Sequence, residues 1–102
     1  MIFGRRGRFA DLVRRQLDLF AEDEAELLAE LDTAESAYDE AAREDAEEAY
    51  GDFQLVLDAG AERLADVRDT YAATLDEDAA AEYEAAFLRA ASKRFPRLTG
   101  LL

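Results

Sequence analysis

Marking only the apolar positions resolves the chain into stripes at helical spacing. Phe9, Val13, Leu17, Phe20, Leu27, Leu31, Ala34 and Tyr38 recur at intervals of three, four and seven residues, which predicts one helix over about 9–41. At 1.5 Å per residue that helix is roughly 50 Å long and needs packing partners to persist. Glu24 interrupts the stripe and marks the edge of its buried part.

No large apolar residue stands between Tyr38 and Tyr50, where Asp39, Glu40, Glu44, Asp45, Glu47 and Glu48 crowd together. The first helix connection is therefore placed near 41–45. Two alternatives stay open: a break at Tyr50-Gly51-Asp52, with Gly ending one helix and Asp capping the next, or one uninterrupted helix. Beyond this window Tyr50, Phe53, Leu57, Gly60, Leu64, Val67 and Tyr71 alternate in threes and fours, a heptad seam that predicts a second helix over 45–73. Gly60 inside the seam costs a helix about 1 kcal/mol relative to Ala. Close approach of a neighbouring helix at that level is the expected compensation.

Thr74-Leu75-Asp76-Glu77 reads as a capping box with Thr74 as N-cap, and opens a third helix over 75–95. Its apolar face runs Ala80, Tyr83, Phe87, Ala90 and Ala91, and Pro96 ends it. Residues 96–102 form a tail whose Leu residues can fold back. With a basic segment at 1–8, the whole is expected to be a single all-α domain, an antiparallel three-helix bundle with two long helices and a shorter C-terminal one.

Composition supports that class. Of the apolar half of the 102 residues, 22 are Ala, and Ile2, Val13, Val56 and Val67 are the whole stock of Ile and Val. A sheet has little to build from. Charge adds a pattern: the formal total is −13, but residues 1–15 and 89–102 each carry a net +4 while 16–88 carry −21. Cations near the end of the last helix suit its partial negative charge. Arg5, Arg6 and Arg8 lie at the wrong helix end for that account. They are candidates for an anionic surface, whether a neighbouring subunit's acidic body or a lipid surface. Nucleic acid is not expected as a partner, because the acidic middle repels phosphate.

Candidate chemistry is sparse. The chain has no Cys and no His, which removes thiolate nucleophiles, Cys-built zinc sites and the commonest general base. Asp76-Glu77-Asp78 hints at a calcium loop, yet Ala80, Ala81 and Phe87 stand where such a loop needs an oxygen ligand, a Gly and a bidentate Glu. Glu22, Glu26 and Glu30 form an i, i+4 ridge, without the Glu-x-x-His pairs of di-iron bundles. Ser36 and Ser92 have no base to activate them. No enzyme activity, cofactor or metal is expected.

Three stretches carry a resemblance: Tyr50-Gly51-Asp52-Phe53, Tyr71-Ala72-Ala73-Thr74-Leu75-Asp76-Glu77-Asp78 and Tyr83-Glu84-Ala85-Ala86-Phe87. They resemble a family of small helical proteins from GC-rich bacteria with no established activity. The resemblance implies a helical fold and a cytoplasmic location, and brings no functional residues. Eleven Arg to one Lys fits such a genome.

Leu55 points about 160° away from the seam at Leu57, and Leu12 and Leu19 share a ridge 100–120° off the first stripe. These apolar residues on secondary faces make Leu12, Leu19 and Leu55 the candidate interface. The expected function is that of a non-catalytic interaction protein, self-associating as a homodimer or binding another protein, with membrane contact through the basic N-terminus as the alternative.

Overall fold

Helix-forming residues and turn chemistry decide where each element of the computed structural model begins and ends. The structure describes residues 7–100 and 102. Helix α1 spans Ala10–Asp23, α2 Ala25–Glu40, α3 Ala46–Ala72, α4 Glu77–Arg94, and a final single turn, α5, Pro96–Thr99. No strand occurs among the described residues. The protein is all-α.

Two boundaries differ from expectation. Where one helix over 9–41 is expected, the chain forms two, because the backbone at Glu24 leaves helical values at φ −108° and ψ 25°. Hydrogen bonds from Glu24 N to Phe20 O and from Leu28 N to Glu24 O continue across the break. The cause is the charge on the stripe: a carboxylate held against the core is costly, and here it meets the Arg63 guanidinium of α3 instead. The result is four helices of 14, 16, 27 and 18 residues rather than three. The second difference is the cap of α4. Asp76, not Thr74, is the N-cap, its carboxylate accepting from Ala79 N at 2.8 Å. The Thr74 hydroxyl donates to the Tyr71 carbonyl instead, and so closes the turn after α3.

The first connection lies at 41–45, with Ala41 extended and a 3₁₀ turn at Arg43–Asp45. Helix α3 runs through Gly51 without interruption, which removes the break at 50–52.

Contacts give the directions. Arg63 meets Glu24, the Gly60 backbone lies beside Leu27, and Tyr50 meets Tyr38, so α2 and α3 are antiparallel. Arg8 with Glu82, Phe9 with Tyr83 and Phe20 with Phe95 set α4 parallel to α1. The molecule measures 56 × 28 × 21 Å. One end, the head, packs α1, α4 and the second half of α3. The other, the arm, is α2 against the first half of α3, two helices thick.

The core belongs mostly to the head. Val13, Leu17, Leu31, Leu64, Tyr83, Phe87, Ala91 and Leu98 are essentially fully buried. Tyr83 is ringed by Phe9, Tyr71 and Phe87 at centroid distances of 4.8–5.9 Å, geometries that favour edge and tilted aromatic contact. At the junction Leu98 of α5 folds back onto Gly60. A Cβ built there would stand 2.9 Å from Leu98 Cδ2 and 3.6 Å from Leu27 Cδ2. The bare backbone in the seam thus admits the α5 leucine and the α2 leucine together.

Candidate interaction surfaces

Charge follows the division into head and arm. Residues 24–62 hold fourteen acids against Arg43 alone, and the rest of the chain holds eleven against eleven. The entire formal charge of −13 therefore belongs to the stretch that builds the arm, while the remainder is neutral overall.

Ion pairs join the arm to the head and, within the head, join α4 to α1. Arg97 of α5 bridges Asp32 at 3.0 Å and Glu35 at 2.7 Å on α2, Arg63 holds Glu24, and Arg94 holds Asp18. Arg8 lies 3.4 Å from Glu82 and 4.8 Å above the Phe9 ring. All these pairs are at least partly exposed, so each contributes ~1 kcal/mol or less. Among the described residues no ion pair engages an acid of the arm beyond Glu35.

The buried polar groups are satisfied. The Tyr83 hydroxyl donates to Gln16 Oε1 at 2.8 Å, and burial pushes this phenol above 10.0. Arg68 is raised by its hydrogen bond to Asp69. Among the described residues no buried side-chain polar atom lacks a partner.

Among the described residues no group of three or more acids stands close enough to hold a metal ion. Glu22, Glu26 and Glu30 line a solvated face. Asp76 is occupied as a helix cap.

The expected interface residues separate. Leu55 is 70% exposed on the arm and Leu19 57% exposed on α1. Leu12 is half-buried against the core, so much of its surface is spent inside the head. Arg5 and Arg6 lie outside the described residues, and Arg8 is exposed but paired with Glu82. At the arm's tip Tyr38 stacks on Phe53 at 6.3 Å and meets Tyr50 at 5.3 Å, with both tyrosines partly open to solvent.

A groove between α1 and α4 has no counterpart in the sequence reading. It is about 440 Å³ in volume; Ala10, Val13, Ala86 and Ala90 form its floor and Arg14 and Arg89 its edges. Val13 and Ala90 stand on expected stripes and Ala10 and Ala86 do not, so periodicity along single helices does not show that the four meet.

Among the described residues no helix is long and apolar enough to cross a membrane. No protein family, curated protein or solved structure matches the chain.

Proposed function

We propose that this protein acts by association rather than catalysis, and that its first partner is a second copy of itself. Counting α1 and α2 as one bent helix, it is an antiparallel bundle whose third layer stops short, leaving the arm two helices thick. The observation that carries the reading is Leu55, 70% exposed on α3 and turned away from the seam that packs on α2. A single exposed Leu is ordinary, but Leu19, Tyr38 and Tyr50 add to it on a chain of this size. Two-fold pairing is the commonest way to bury such residues. A cytoplasmic location fits the Cys-free composition.

Light scattering across a size-exclusion peak tests this. At tens of micromolar the protein is expected at twice its 11.4 kDa, and Leu55→Glu is expected to shift the mass toward the monomer. A monomer mass for the unchanged chain overturns the proposal.

A further inference from the structure

The α1–α4 groove and the arm of this chain complement each other. The groove's floor is Ala and Val, which lets a helix approach closely. Arg89 stands on its edge and Lys93 one helical turn further along α4, and among the described residues neither takes part in an ion pair. Arg14 on the opposite edge reaches Asp11 at 3.6 Å, with both side chains mostly exposed.

The flank of α2 presents the converse. Glu26 and Glu30 stand one turn apart with Ala29 between them, on an open surface that also takes in Thr33 and Arg63. Among the described residues neither carboxylate is in an ion pair, and Arg63 is engaged by Glu24. Two acids at i, i+4 face outward on one helix and two bases at i, i+4 on another, each flanked by Ala. A rise of about 6 Å per four residues applies to both pairs.

We infer that two copies associate reciprocally, the α1–α4 groove of each receiving the Glu26–Glu30 flank of the other's α2. This rests on the self-association proposed above and assigns its contact. Arm against arm sets the two acidic stretches together, whereas arm against head sets acid against open cations; complementary charge of this kind selects register and partner. A two-fold axis makes both contacts at once and closes the assembly. Leu55, about two turns before Arg63 on α3, lies on the same arm.

Two charge-reversed chains test the assignment, each checked for helicity by circular dichroism. Glu26→Arg with Glu30→Arg makes the arm flank basic, and Arg89→Glu with Lys93→Glu makes the groove edge acidic. Each alone is expected to run as a monomer, its dissociation constant raised at least tenfold. Mixed in equal amounts they are expected to form a heterodimer, because both contacts are then complementary again. A milder pair, Arg89→Ala with Lys93→Ala, should also raise the dissociation constant and serves if reversal unfolds the chain. If either variant stays as dimeric as the unchanged protein, the contact lies elsewhere. Failure of the mixture to recombine overturns the assignment as well. A monomeric unchanged protein sinks the self-association itself, so the two failures are distinguishable.

Discussion

The head and the arm are made from the same few residue types, yet they are held together differently. In the head, α1, α3 and α4 surround Tyr83 and Phe87, and the charges outside 24–62 cancel. In the arm, α2 and α3 close on Leu27, Leu31 and a partly open aromatic cluster, and residues 24–62 hold fourteen acids, most of them exposed, against one cation. A third helix changes what a stripe can do: Phe87 on α4 is fully buried, whereas Phe53, which also falls on a regular stripe, is only half-buried. Burial depends on how many elements meet at a level as much as on the periodicity of any one of them.

Paired truncations put the largest strain on this contrast. Phe87→Ala is expected to cost ~3–5 kcal/mol, enough to unfold a marginal domain. Phe53→Ala is expected to cost about 1–2 kcal/mol, since only part of its ring leaves water on folding. Urea denaturation of the two variants checks it. Equal losses would mean that the arm is as tightly packed as the head.

A smaller effect distinguishes the two residues that compete to start α4. Asp76→Ala is expected to lose about 1 kcal/mol by removing the acceptor for Ala79 N, and Thr74→Ala to stay within about 0.5 kcal/mol. Thermal melts of both variants decide between them. A larger loss at Thr74 would restore the cap to the position the sequence favours.

Salt acts mainly on the arm. Screening shortens from about 30 Å at 0.01 M to about 3 Å at 1 M, so repulsion among the unpaired acids should weaken. The melting temperature is expected to rise by a few degrees over that range. A flat or falling temperature would show that pairs such as Arg97 with Asp32 and Glu35 outweigh the repulsion.

Much of the fold could be read from periodicity. The seam from Tyr50 to Tyr71 predicts α3 to within a residue at each end, and the stripe of Tyr83 and Phe87 places α4 nearly as well. The split at Glu24 could not be located, because neither Gly nor Pro marks it and the stripe resumes seven residues after Phe20. Gly60 announced a close neighbour without naming it. Leu98 lies thirty-eight residues away, and only the folded chain brings them together. The candidate surfaces were the least legible part. Leu55 and Leu19 emerge from helical angles, but Leu12 is drawn partly inside and the Ala-floored groove needs two helices to exist. Likewise, the −13 resolves into a neutral head and an acidic arm only once Glu24 and Glu62 are known to bracket a structural unit.

The break at Glu24 also has a mechanical meaning. Helix α2 extends some 24 Å beyond it, so a turn of 10° there alone would swing the far end by about 4 Å. Helix α3 has no matching joint: its 27 residues pass from arm to head in one piece. The continuous helix acts as a splint along the jointed one, with Arg63–Glu24 as a clasp at the joint. Any stiffness of the long axis is therefore to be sought in α3, the element that passes the joint at Glu24 unbroken.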